Sequence, residues 1–160
     1  MTRFGYLGPE GTFCEMALRQ WAASHAGSHH PFGSVGAALR ALRDGQVDAA
    51  MVPIENSVEG GVSATLDALS VGEQLHITGE VLVPITFVLA ARPGMPLAQV
   101  RAVGTHSHAW AQVRGWMDEN VPDAAYLPTL STAASAQTLA TESHPPFEAA
   151  ACAPGAAARF

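Results

Sequence analysis

A carboxylate, an amide and a hydroxyl stand side by side at Glu55, Asn56 and Ser57, at the end of an apolar run over residues 47–52 and ahead of Gly60-Gly61. Pro53 removes a backbone donor there and turns the chain out of its strand. Polar side chains at the carboxyl end of a buried strand, with a glycine bend behind them, are where open α/β sheets hold ligands. A second polar group, residues 8–14, follows the first strand, and Thr12 with Glu15 three positions on makes a capping-box pattern. A third is Thr105-His106-Ser107-His108 with Gln112; seven residues separate Thr105 and Gln112, two turns of one face if a helix begins that early. The fourth is Ser131-Thr132. Three of the four lie at expected helix starts, where backbone N–H groups and the positive dipole end favour anions. The chemistry this suits is the binding of a small molecule carrying carboxylates. Capping alone also accounts for Thr12, Ser57 and Ser131 taken singly. His106 and His108 lack a third ligand at metal spacing. Ser57, His106 and Asp67 can be drawn as a triad, but no nucleophile elbow supports it.

The elements that must position these groups follow from periodicity. Residues 4–7 predict a buried strand and 12–25 a helix with Phe13, Met16, Ala17 and Trp21 on one face. Residues 27–33 read as a loop with solvated His29 and His30, and 35–43 as a helix ended by Asp44-Gly45. Strand 47–52, the polar loop and helix 63–69 come next, then extended chain over 75–91 broken at Pro84. The second half predicts strand 100–103, helix 109–119, strand 124–127, a helix from Ser131 to Thr141, strand 147–153 and a last helix opened by Pro154. Strand and helix alternate with short connections, and the apolar runs suit parallel, doubly covered sheets. The expected fold is α/β with two lobes, residues 1–83 and 84–160, and a cleft between them.

Composition narrows the functions. The chain has 160 residues, is 48% hydrophobic and carries a net charge of -6, which describes a globular protein and not a disordered one. All 8 basic residues are arginine, which excludes a Schiff-base lysine and a lysine-bearing phosphate loop. Scattered arginines on an acidic chain make no nucleic-acid footprint. Cys14 and Cys152 have neither CxxC nor metal spacing and read as free structural thiols in a reducing compartment. No signal peptide is apparent, and the longest apolar run, 81–91, is too short to span a bilayer. The expectation is a cytoplasmic protein without a membrane partner.

Taken together, the stretches Tyr6-Leu7-Gly8-Pro9-Glu10-Gly11-Thr12-Phe13, Val52-Pro53-Ile54-Glu55-Asn56-Ser57-Val58-Glu59-Gly60-Gly61-Val62 and Thr65-Leu66-Asp67 resemble the prephenate dehydratases, as do residues 80–89 and Thr105-His106 with Gln112. The likeness covers nearly the whole chain. It implies a catalytic domain similar to the type II periplasmic-binding-protein fold, with the substrate between two lobes of mostly parallel sheet. It implies the decarboxylating dehydration of prephenate to phenylpyruvate on the route to phenylalanine, with no metal or cofactor. Glu55, Asn56 and Ser57 would then be catalytic, and Gly11, Thr12, Thr105 and Gln112 would bind substrate. The family's Thr-Arg-Phe motif and its regulatory ACT domain have no counterpart here. The resemblance therefore implies a first lobe lacking its return segment, poor turnover by these 160 residues alone, and a homodimer or higher oligomer. Cys14 stands where many relatives carry serine or threonine, and Ser107-His108 replaces a common Pro-Gln pair. Prephenate decarboxylase and a non-catalytic carboxylate-binding module remain as alternatives.

Overall fold

In the computed structural model, which describes residues 1–23, 26–58 and 60–160, the chain forms two compact units, Met1–Pro84 and Ile85–Phe160. Both are α/β units built mostly on parallel strands.

The first unit carries a three-stranded sheet. Strand β1 (Thr2–Leu7) lies between β2 (Gly27–Phe32) and β3 (Ala49–Met51), and all three run parallel. Phe4 and Tyr6 alternate onto the face covered by helix α1 (Phe13–Ala22), where they pack with Leu18 and with Ala49 and Met51. Helix α2 (Val35–Arg43) buries Val35, Ala38, Leu39 and Ala41 and also packs on β1. Its ends are those expected: Ser34 accepts from Ala37 N, and Asp44 with Gly45, at φ 67°, stops it. The Arg43 guanidinium then reaches across to Ala68, Val71 and Glu73, donating to all three carbonyls at 2.8–3.0 Å. Those carbonyls belong to, or follow, helix α3 (Ser63–Ser70) and have no donor within that helix.

Three expectations for this unit change. Residues 27–32 are an edge strand, in register with β1 from Thr2↔Gly27 to Leu7↔Phe32. Pro31 is tolerated because the edge needs no donor there. Gly27 is a close-approach glycine: a Cβ would fall 2.4 Å from Thr2 O and from the Phe4 ring. The loop after β3 contains a small antiparallel hairpin, β4 (Glu55–Asn56) with β5 (Gly60–Gly61), and Gly60 has φ 82°. Ser57 lies in its turn and caps nothing; the residue at the start of α3 is Val62, which offers no side-chain cap. The chain over 74–87 forms no strand, and Ile77 and Leu82 on it are exposed. Helix α1 is seen to end at Ala22, and the expected end at His25 falls outside the described residues.

The second unit has the order β6-β9-β7-β8, from β6 (Val88–Ala91), β7 (Ala102–Thr105), β8 (Ala125–Pro128) and β9 (Ala149–Cys152). Strands β7, β8 and β9 are parallel, and β6 is antiparallel to β9. Helix α4 (Ser107–Asn120) covers one face and helix α5 (Thr132–Thr141) the other. Ala149 and Ala151 cluster with Met117 of α4, whereas Cys152 clusters with Ala133 and Ala136 of α5 and Ala150 with Leu139. Strand β9, buried at every position, is the core. Gly104 makes room for Phe147, whose ring would lie 2.4 Å from a Cβ there. Residues 97–99 form a turn of 3-10 helix, so the strand expected at 100–103 begins two residues later. Helix α6 (Pro154–Arg159) opens on proline as expected.

Candidate functional site

Parallel strands deliver their carboxyl ends to one edge of a sheet, and the four polar stretches singled out in the sequence follow such ends, with Gln112 further on within a helix. In the first unit β1 and β3 are neighbours, Tyr6 opposite Met51. The turn after Leu7 and the loop after Met51 therefore leave the same edge side by side.

The turn is held by its own side chains. Gly11 has φ 85°, which glycine adopts without strain. Thr12 Oγ1 donates to Leu7 O at 3.0 Å and accepts from Glu15 N at 3.3 Å, capping α1. The Glu15 carboxylate, 5% exposed, curls back to accept from Gly11 N–H at 2.5 Å, while Arg19 donates to it through Nε and Nη2 at 3.1 and 2.7 Å. The helix-start N–H expected to meet a ligand carboxylate is thus met by a carboxylate of the chain itself. The capping-box spacing was legible; its reach to Gly11 and its tie to Arg19 were not.

The hairpin is held differently. Thr65 is wholly enclosed, and its Oγ1 donates to Pro53 O at 2.5 Å. Val62 N donates to Ile54 O at 2.9 Å. At the tip, Asn56 Oδ1 accepts from Val58 N at 2.8 Å, an Asx turn. That bond commits the amide oxygen and leaves its NH2 as the outward donor. Glu55 and Ser57 are exposed and Asn56 half-buried. Among the described residues neither the Glu55 carboxylate nor the Ser57 hydroxyl makes a hydrogen bond. Acid, amide donor and hydroxyl are therefore presented together on a pinned turn, and Glu59 lies outside the described residues.

In the second unit the carboxyl ends of β7 and β8 lead into α4 and α5. Thr105 ends β7 and does not enter the helix, which begins at Ser107 behind a His106 cap whose Nδ1 accepts from His108 N at 3.3 Å. Thr105 and Gln112 therefore do not share a helical face. Thr105 is fully enclosed, and its Oγ1 donates to Ala151 O at 2.6 Å, just past the last ladder pair, Gly104↔Ala150. The hydroxyl expected to face a ligand closes the sheet instead. Gln112 is half-buried on α4, and its amide makes no hydrogen bond among the described residues. Ser131 caps α5 by accepting from Ala134 N at 3.0 Å.

Thr12, Thr65 and Thr105 thus do one job. Each donates to a backbone carbonyl: Leu7 at the end of β1, Pro53 two residues past β3, and Ala151 one residue beyond the last β7–β9 pair. No signal in the sequence separates such a threonine from one that meets a ligand.

Burial pushes the Cys14 thiol up to about 11, and that of Cys152 likewise to about 11. Both stay protonated near neutrality and are poor nucleophiles or metal ligands. The His106 and His108 rings meet edge to face at 4.8 Å, and among the described residues no group of three or more His, Cys, Asp or Glu gathers to hold a metal ion. No helix of the described residues is long and apolar enough to cross a membrane.

A family model described as prephenate dehydratase matches residues 4–160. A curated prephenate dehydratase of Mycolicibacterium gilvum is 45% identical over 150 residues, 88% of this chain and 48% of that protein. The solved prephenate dehydratase of Arthrobacter aurescens, in complex with L-Phe, is 54% identical with a TM-score of 0.92, covering 99% of this chain and 51% of that one. A solved chain described as GqqA, a novel type of quorum quenching acylase, is 27% identical with a TM-score of 0.78, covering 98% of this chain and 55% of that one. One fold thus carries more than one named activity. The chain spans about half the length of the curated relatives it matches, 48% and 51% of the first two. By the match over residues 4–160 and this likeness to curated members, the chain belongs to the prephenate dehydratase family.

Proposed function

We propose that this chain supplies the prephenate-handling part of a prephenate dehydratase acting in phenylalanine biosynthesis. The observation that carries the reading is the pairing of β1 beside β3. It brings the two most specific stretches, the turn through Gly11 and Thr12 and the hairpin of Glu55, Asn56 and Ser57, to one edge of one parallel sheet.

In the reaction the bond from the ring to its carboxylate breaks and carbon dioxide leaves. The electron pair enters the ring, the bond to the ring hydroxyl breaks, and that group departs as water after taking a proton. Aromatisation drives the step, so the protein's part is to hold a dianion in one orientation and to donate hydrogen bonds to the departing hydroxyl. Asn56 Nδ2 and Ser57 Oγ are suited to donate. Glu55 is suited to orient the hydroxyl by accepting a hydrogen bond from it, and solvent at this exposed turn supplies the proton with which it leaves. Gly11 and Thr12 serve the binding by holding the turn after β1 in place, since the Gly11 N–H and the Thr12 hydroxyl already have partners within the chain. In the second unit, Thr105 holds the end of β7, and the Gln112 amide makes no hydrogen bond among the described residues. This chemistry calls for neither metal nor cofactor.

We further propose a cytoplasmic homodimer or larger homo-oligomer. Ile77, Leu82 and Leu130, at 72%, 87% and 95% exposure, support it as apolar surface for a second copy. Sedimentation showing a monomer at all concentrations would remove that part.

Prephenate titrated into the purified chain, with products followed, tests the function. Saturable binding that Asn56→Ala weakens about tenfold, with phenylpyruvate as the product of any turnover, supports it. A non-aromatic dihydro product would move the chain to the decarboxylases, and absence of binding would end the proposal.

A further inference from the structure

Helix α3 is a lightly buried helix with one exception. Leu66 is 50% exposed and Ser63, Ala64, Asp67 and Ser70 are exposed, yet Thr65 is wholly enclosed and is the one buried residue of the helix. Apolar burial does not select a threonine for such a place. The hydrogen bond does: Thr65 Oγ1 donates to the Pro53 carbonyl, two residues before the hairpin. The helix has no side-chain N-cap, because Val62 fills that position. Its start is fixed through Val62 N to Ile54 O and through Thr65 to Pro53. These two bonds close the base of the segment whose tip carries Glu55, Asn56 and Ser57.

We infer that Thr65 is a positioning residue: by clamping Pro53 to α3, it sets where the Glu55-Asn56-Ser57 turn is presented. The structural part stands alone, and its consequence for substrate rests on the proposed function.

The test compares Thr65→Val, which keeps the shape and loses the donor, with Thr65→Ser, which keeps the donor. Amide hydrogen exchange at Val58 and Val62 rises about tenfold in Thr65→Val, while the amides of α5 keep their wild-type rates and Thr65→Ser stays near wild type. Prephenate affinity falls by a similar factor in Thr65→Val and returns in Thr65→Ser. Unchanged exchange at Val58 and Val62 in Thr65→Val overturns the inference, whatever prephenate does. Raised exchange with undiminished affinity overturns the consequence for substrate. If wild type does not bind prephenate, the proposed function fails while the exchange result still judges Thr65. Should Thr65→Val not fold, the wild-type hydroxyl proton decides. A separate, slowly exchanging NMR signal supports the clamp, and exchange at the solvent rate overturns it.

Discussion

Replacing Thr105 by valine separates a residue that meets a ligand from one that closes a sheet. The side chain is enclosed at 0% exposure, and its hydroxyl lies 2.6 Å from Ala151 O on the core strand β9. Valine fills nearly the same space, so no sizeable cavity opens. What is lost is the donor, and an acceptor buried without its partner costs about 1–3 kcal/mol. For a unit of this size, 1 kcal/mol moves the midpoint by roughly 4–8 °C. Thr105→Val is therefore expected to lower the melting temperature of the second unit by roughly 4–24 °C. Thr105→Ser keeps the donor and loses one methyl group, so it falls in between. Trp110 and Trp116 report on this unit by fluorescence, and Trp21→Phe silences the first. A Thr105→Val protein as stable as wild type, with weakened prephenate binding alone, would refute the reasoning and return Thr105 to the substrate.

Gly104→Ala would place a Cβ 2.4 Å from the Phe147 ring, so a loss of about 1–3 kcal/mol is expected in urea titrations. Arg43→Ala removes the donor to the Ala68, Val71 and Glu73 carbonyls, and faster amide exchange in the last turn of α3, with α5 unchanged, is the expected sign. Asp48 is held down from 3.8 to about 2 by the hydrogen bond from the Arg3 side chain and then by that from the Arg3 backbone N–H. A depressed carboxyl stabilises the fold above its unfolded value and ceases to do so as pH falls through the folded one. Wild-type stability should therefore drop between about pH 4 and pH 2 more steeply than that of Asp48→Asn, and equal slopes in acid unfolding would remove the assignment.

Local signals were readable where both ends of an element are marked in its own residues. Helix α2 is framed by Ser34 and by Asp44-Gly45, and α5 by Ser131, and both run as their sequences indicate. Strand β2 was not readable, because Gly27, His29, His30 and Pro31 are turn and surface residues whose pairing depends on β1. The chain over 74–87 misled in the other direction: its apolar residues look like strand, but none of these residues enters a strand. At the site, Glu55, Asn56 and Ser57 were recognisable as polar groups at a strand end. The enclosure of Thr105 was not, since it depends on a carbonyl at Ala151, 46 residues later. Nor was the tie from Thr65 to Pro53, made across a hairpin that short sequence periods do not register.

The central claim is the proposal that prephenate binds at the polar turn after β3. Prephenate titrated into isotopically labelled chain, followed by NMR at each amide, tests it most directly. The account predicts saturable shifts at Glu55, Asn56 and Ser57, with α2 undisturbed. Shifts confined to the amino ends of the strands, or none at saturating prephenate, would contradict it.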